Sequence, residues 1–215
     1  MSPIHGSERD WTDSPRIRSP RTLCELPVFY ATTEGQTRRV AETLATTLRS
    51  KGFESCAVDL TSRDADSIDW SDVRGVVVGG SIHAGRHQRQ VESFVKRNAA
   101  ELNQRPSAFF SVSLSAGSAN VSETEAARQL AEALPRKLGW HPDTVVCFAG
   151  RLAYTRYGFL KRLIMKSIAR RHGAPTDVSR DYEFTNWDAV RGLAEHVAAL
   201  VKTQRLHARM TLAQR

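Results

Sequence analysis

The sequence has no run approaching the ~20 apolar residues that a membrane-spanning helix needs, and its mean hydropathy is −0.40. That excludes an integral membrane protein. Its first residues carry acids and prolines with no apolar stretch among them, so no secretory signal is expected there. Cysteine is scarce: Cys24, Cys56 and Cys147 stand far apart, with no CxxC and no His-rich spacing around them. This argues against a disulfide framework and a zinc site, and suits a reducing cytosol. Two phosphate signatures are also missing, the GxxxxGKS/T of a nucleotide-hydrolysing P-loop and the GxGxxG of a Rossmann dinucleotide site. No internal repeat is visible. Acids are outnumbered, 23 Asp+Glu against 31 Lys+Arg, for a formal net charge of +8. Such a surface favours anionic partners, namely nucleic acid, anionic lipid or a carboxylate-bearing substrate, although a merely soluble basic protein has the same balance.

What is present reads as one α/β domain. A length of 215 residues suits one full-sized domain and is too short for two ordinary ones. Residues 1–22 mix Pro, Ser, Arg and Asp without apolar periodicity and are expected to form a flexible extension. The domain is expected over 23–202, with a tail at 203–215. Strand signals fall at Leu26 to Ala31, Ser55 to Leu60, Gly75 to Gly79, Ala108 to Val112 and Thr144 to Ala149. Between them Ala41, Leu44, Ala45 and Leu48 recur at helical spacing, as do Val91, Phe94, Val95 and Leu102, and then Ala126, Leu130, Ala133 and Leu134. Gly52 stops the first of these helices. Trp187, Val190, Leu193, Ala194 and Val197 mark a last helix. The GVVVG run is continuous and β-branched, as for a strand buried on both faces. Strands alternating with helices predict a parallel sheet covered on both sides. A stretch at 150–185, between the fifth strand and the last helix, is longer than a plain α/β domain needs and is a functional candidate.

Ligands of open α/β sheets bind beyond the carboxyl ends of the strands. The first such loop is Ala31-Thr32-Thr33-Glu34-Gly35-Gln36-Thr37, leading straight into a helix. Hydroxyls and a glycine at a helix N-terminus suit a phosphate, because unpaired N–H groups and the helix dipole favour its charge. The alternative is that Thr33 or Thr37 only caps the helix. A second loop, Gly80 to His87, has glycines that allow close approach of a planar ring, and a third runs from Ser113 to Ser118. One phosphate loop and two small-residue loops at one sheet edge suit a mononucleotide with a flat head, and FMN fits. His83 reads as a base or a metal ligand. No His or Cys stands at ligand spacing from it, so no metal is expected.

The order of elements and the ATTEGQT loop resemble the flavodoxin superfamily. More specifically, EGQTRRVAETLA (34–45), GGSIHAGRHQRQVESFVKRN (79–98), PSAFFSVSL (106–114), AGRLAYTRYGFLKRLIMK (149–166) and FTNWDAV (184–190) resemble the flavodoxin-like menaquinone-dependent protoporphyrinogen IX dehydrogenases. The resemblance runs from about Val28 to Leu200. It implies a doubly wound five-stranded parallel sheet of order 2-1-3-4-5, binding FMN noncovalently. It also implies oxidation of protoporphyrinogen IX, with the electrons passed to a membrane quinone. Carried over by position, Thr32, Thr33, Gly35, Gln36 and Thr37 would hold the phosphate. Ser81, Ile82, His83, Ala84 and Gly85, with Ser113, Leu114, Ser115, Ala116 and Gly117, would flank the isoalloxazine. The third loop and the Arg-rich N-terminus depart from the family pattern. No Ser-His-Asp or Cys-His constellation is evident, and none is required, since the flavin carries the redox chemistry. His83 and His87 are the candidate proton acceptors.

From Arg151 to Thr176 there is no acid. Leu160, Leu163, Ile164 and Ile168 fall on one side of a helical projection, and Arg162, Lys166 and Arg170 on another, a basic amphipathic pattern. Tyr154, Arg156, Tyr157, Lys161, Arg162, Lys166 and Arg170 are the candidates for contact with the substrate's propionates or with anionic lipid. The alternative is a helix that packs its apolar side on the domain and solvates its charges. The chain is therefore expected to be cytoplasmic and peripherally attached to the inner face of the membrane. No reading motif for nucleic acid accompanies the charge, and the oligomeric state, a homo-oligomer included, is open. A flavodoxin-like FMN electron carrier and a flavin-dependent NAD(P)H:quinone reductase are the competing functions.

Overall fold

Val76, Val77 and Val78 are each fully buried, and successive side chains enter different cores. That alternation is what a strand covered on both faces requires. The computed structural model describes residues 24–66, 68–156 and 177–213. Its main sheet contains β1 (Val28–Tyr30), β2 (Ala57–Asp59), β3 (Val76–His83), β5 (Ser107–Ser113) and β6 (Thr144–Ala149), all parallel, in the order β2-β1-β3-β5-β6. Counted as parallel strands alone, this is the 2-1-3-4-5 order implied by the resemblance. The sixth strand, β4 (Arg86–His87), folds back antiparallel on the end of β3.

Helices α1 (Gln36–Ser50) and α4 (Trp187–Ala213) cover one face of the sheet, where Leu44, Leu48, Val190 and Val197 pack on Val28, Val77 and Phe110. Helices α2 (Arg89–Asn103) and α3 (Val121–Lys137) cover the other, where Val91, Phe94, Ala131 and Leu134 meet Phe29, Val78 and Phe109. Each fully buried Val or Leu contributes about 1.5–3 kcal/mol of transfer free energy. Lys51 ends α1, and Gly52, at φ +87, turns the chain away as expected. α4 runs on through residues 203–213, which the sequence pattern assigns to a tail, and there Arg205 pairs with Glu25 at 3.0 Å.

Two expectations are corrected. The second site loop is not a loop throughout: β3 continues to His83, and a tight turn at Ala84 (φ 49) and Gly85 (φ 74) leads into β4. Two successive positive φ values match the twist of a two-residue hairpin. Secondly, Cys24 and Cys56 form a disulfide across 32 residues. Both lie just ahead of neighbouring parallel strands, where Leu26 N donates to Glu54 O at 3.0 Å and Val28 N to Cys56 O at 2.8 Å. Strand pairing, which the spacing does not reveal, brings the thiols together. The two ends of the 150–185 stretch come together, since β7 (Arg151–Leu152) pairs antiparallel with β8 (Tyr182–Glu183). The N-terminal extension and the basic run at 157–176 lie outside the described residues.

Candidate functional site

The carboxyl ends of β1, β3, β5 and β6 open onto a cavity of about 430 Å³. β1 delivers the first wall. Ala31 N donates to Gly79 O at 3.1 Å, holding the loop root on β3. The loop then closes on itself through Gly35 N to Thr32 Oγ1 at 2.9 Å. Gly35 occupies the left-handed region at φ +89 and starts α1, with no side-chain cap on the helix. A Cβ added at Gly35 would touch nothing within 4 Å, so backbone conformation, not close approach of a ligand, calls for glycine there.

Because neither threonine caps α1, its first-turn N–H groups lack the usual side-chain acceptor. Thr37 is 1% exposed, lines the cavity, and its Oγ1 has no hydrogen-bond partner. A buried unpaired hydroxyl beside a helix N-terminus is a donor set that lacks an oxyanion. The residues thus fit a phosphate-bearing group. Thr32 and Gln36 also line the cavity, but the Gln36 side chain is engaged elsewhere: its Nε2 donates at 2.8 Å to both Glu183 Oε1 and Thr185 Oγ1. Glu183 also accepts from Arg39 at 2.7 Å. Burial pushes the Glu183 carboxyl up, and the Arg39 and Gln36 hydrogen bonds outweigh it, leaving it below the usual range. Gln36 is thus the tie between α1 and the returning strand β8.

The second wall is the β3–β4 hairpin, from which Ser81, Ile82, His83, Ala84 and Gly85 line the cavity. Gly80 leaves no room for a ring, since a Cβ there would already meet Val91 at 3.0 Å and Gln88 at 3.2 Å. Gln88, within the 79–98 segment but not singled out there as a site residue, fixes this wall. Its Oε1 accepts from Ser81 N at 3.0 Å, and its Nε2 donates to Ser81 Oγ and, at 3.3 Å, to Thr33 Oγ1. One side chain thereby ties the first loop to the second. The two candidate histidines separate here. His83 is exposed at the cavity rim. His87 is buried, with Nε2 2.9 Å from Ser111 Oγ and its ring edge-on to Phe109. Burial pushes its pKa down to about 4, so His87 is a neutral core residue and not a proton acceptor of the site.

Ser113, Leu114 and Ser115 form the third wall. Ala116 and Gly117 do not line the cavity. Ala116 N donates to Ser113 Oγ at 3.1 Å, and a Cβ on Gly117 would come within 2.7 Å of Ala149, so these two serve the loop and its packing on β6. Thr33, which is exposed, and Gly35 are likewise not part of the lining. A fourth wall comes from Gly150, Arg151 and Ala153. The signal for it was the glycine just past the fifth strand. Tyr154, expected to face substrate or membrane, is instead fully buried in a small core with Leu152, Ala153 and Tyr182. The Arg156 side chain, Tyr157, Lys161, Arg162, Lys166 and Arg170 fall outside the described residues.

A family model described as a flavodoxin domain matches residues 27–179. The chain belongs to the flavodoxin family. Two curated relatives are both named protoporphyrinogen IX dehydrogenase (quinone). The protein of Escherichia coli strain K12 is 31% identical over 173 residues, covering 80% of this chain and 94% of the relative. That of Leishmania major is 33% identical over 183 residues, covering 85% and 77%. Among solved structures, a flavodoxin from the domain Archaea aligns at TM-score 0.47 and 16% identity, over 82% of this chain and 98% of its own. Membership of the flavodoxin family indicates a flavin as the cofactor class. Among the described residues, no helix is long and apolar enough to cross a membrane.

Proposed function

We propose that this flavodoxin-family protein is an FMN-dependent oxidoreductase that converts protoporphyrinogen IX to protoporphyrin IX and delivers the electrons to a membrane quinone. The observation that carries the cofactor is the unpartnered, buried Thr37 hydroxyl at the α1 N-terminus, where three hydroxyl- and glycine-bearing walls meet. The names of the two curated relatives support the substrate and the acceptor. FMN, when bound, supplies a two-electron acceptor, so three rounds, each reducing one quinone to quinol, remove the six electrons and six protons of the porphyrinogen.

The chain's own residues bind and orient. Thr37 Oγ1 and the first-turn amides of α1 hold the phosphate, and Thr32 shapes the loop through Gly35. Gln88 holds Ser81 and Thr33 in register, so that the walls flanking the ring and phosphate keep one spacing. His83, exposed on the rim, would take a substrate proton. The basic run containing Arg162, Lys166 and Arg170 provides the peripheral contact with the inner face of the membrane, each such residue contributing ~1 kcal/mol near an anionic surface.

Anaerobic assays of the FMN-reconstituted protein test the reading. Turnover of protoporphyrinogen IX with a quinone, and none with NAD(P)H as donor, is the expected result. Turnover with NAD(P)H alone would make the protein a quinone reductase. Reversible flavin reduction without turnover of either donor would make it a carrier.

A further inference from the structure

Arg151 is the one described residue lining the cavity that carries a fixed positive charge. It opens β7, one residue beyond Gly150, whose N–H donates to Ser113 O at 3.0 Å. Its register partner on β8 is Glu183, which accepts from Gln36 Nε2 at 2.8 Å and from Arg39 at 2.7 Å, so the arginine and the start of α1 share an acidic neighbour.

The guanidinium is held in place. Arg151 Nη2 donates to Asp181 Oδ2, with side-chain exposures of 25% and 18%. Asp181 is in turn fixed through its other oxygen, Oδ1, which accepts from both Thr155 N and Thr155 Oγ1 at 2.9 Å. The backbone hydrogen bond from Thr155, with the Arg151 contact, keeps the Asp181 carboxyl below its usual range. A carboxylate clamped on one oxygen and bonded through the other to one guanidinium nitrogen anchors that end of the arginine and leaves its remaining N–H groups for a second acceptor. The guanidinium has five N–H donors in a rigid fork, and that fork matches a second planar carboxylate. Preorganisation of this kind lowers the ordering cost of binding.

We infer that Arg151 is a substrate-selecting residue that takes a carboxylate of the tetrapyrrole, with Asp181 as its positioning residue. The inference rests on the function proposed above, because the substrate carries propionates. The same oxyanion chemistry could serve the cofactor's phosphate, and the measurements separate the two sources. Wild type, Arg151→Met, Arg151→Lys and Asp181→Asn are reconstituted with FMN. Each is assayed for FMN dissociation constant, for kcat and KM with protoporphyrinogen IX, and for the same with its dimethyl ester.

For Arg151→Met, kcat/KM for the free acid falls about 10- to 100-fold, mainly through KM, the size of one charge-assisted hydrogen bond. The ester, which wild type already disfavours, is unaffected, and the FMN dissociation constant stays within about twofold. Arg151→Lys, keeping the charge without the fork, recovers part of the preference. Asp181→Asn loses part of it while the arginine is intact. Equal losses for acid and ester overturn the inference in favour of a structural role. A rise in the FMN dissociation constant with unchanged acid-to-ester preference overturns it in favour of the phosphate. If wild type turns over neither compound, the proposed reaction fails. Equilibrium binding of protoporphyrin IX against its dimethyl ester, in wild type and Arg151→Met, then decides the role of Arg151 by itself: an acid preference that the variant lacks supports it, and equal binding overturns it.

Discussion

Replacing Thr37 by valine removes one hydroxyl while keeping volume and β-branching, and the structure gives the change opposite signs in the two forms of the protein. In the apoprotein the Thr37 hydroxyl is buried with no partner. An unsatisfied buried hydroxyl costs about 1–3 kcal/mol, so Thr37→Val stabilises the apoprotein by about 1 kcal/mol. For a chain of this size, that is a rise in Tm of about 2–4 °C. In the FMN complex the same hydroxyl donates to a charged phosphate, a bond worth about 1.5–3 kcal/mol. Losing it raises the FMN dissociation constant about 10- to 150-fold. Thermal unfolding of apoprotein and fluorescence titration with FMN measure the two signs independently. Thr33→Val is the control. Its Oγ1 accepts a 3.3 Å hydrogen bond from Gln88 and does not line the cavity, so its effect on FMN stays within about threefold. A destabilised Thr37→Val apoprotein that binds FMN as tightly as wild type would refute the reasoning, since the hydroxyl would then have a structural partner and no ligand.

Three further outcomes are expected. Thiol titration of the denatured, unreduced protein should count Cys147 alone, and Cys24→Ser should lower stability by about 3–4 kcal/mol, the loop-closure value for a bridge across 32 residues; three free thiols would contradict the pairing. Stability should be flat above about pH 6.5 and fall as the pH drops towards 4, because unfolded His87 binds a proton that the folded form refuses, a loss of about 3 kcal/mol. His87→Gln should remove that slope between pH 6.5 and 5 without changing FMN affinity, and an unchanged slope would place the titration elsewhere. Changing Arg162, Lys166 and Arg170 together to Glu should abolish sedimentation with anionic vesicles and leave FMN binding intact, with high salt mimicking the defect; vesicle binding equal to wild type would leave the segment a packing element.

The layered fold was legible because burial on two faces writes itself into single strands. Val76–Val78 and Phe109–Phe110 send successive side chains into opposite cores, and a continuous β-branched run fits poorly anywhere but in a strand covered on both sides. Helix spacing was equally plain at Ala41, Leu44 and Leu48, all fully buried in α1. What escaped was pairing at a distance. Cys24 and Cys56 meet only because β1 and β2 are neighbours at the same level, a fact of topology with no local signature. Likewise, Gly80 read as the start of a loop open to a flat ring, but it lies within β3, packed against α2 and the hairpin, just after Gly79, whose missing Cβ admits the Phe110 ring.

The site was legible where one loop supplies a whole function and obscure where function is shared across the chain. Reading forward from each strand end finds Thr32, Thr37, Ser81 and Ser113 as a matter of course, since ligand sites of parallel sheets lie there. It cannot find that Gln36 is held by Glu183 and Thr185, nearly 150 residues on, or that Gln88 locks two loops with one amide. Nor can it tell His83 from His87. The two are four residues apart in one motif, yet the two-residue turn at Ala84 and Gly85 sends one to the rim and buries the other against Phe109. Arg151 is the sharpest case. In the sequence it is the first of a run of basic residues and reads as part of their collective charge. In the fold it lines the cavity and is held there by Asp181, so its chemistry is that of an individual donor. Charge composition reports how many cations a segment carries. Which of them is fixed, and towards what, depends on a clamp such as Thr155–Asp181, built only after the chain has returned along β8.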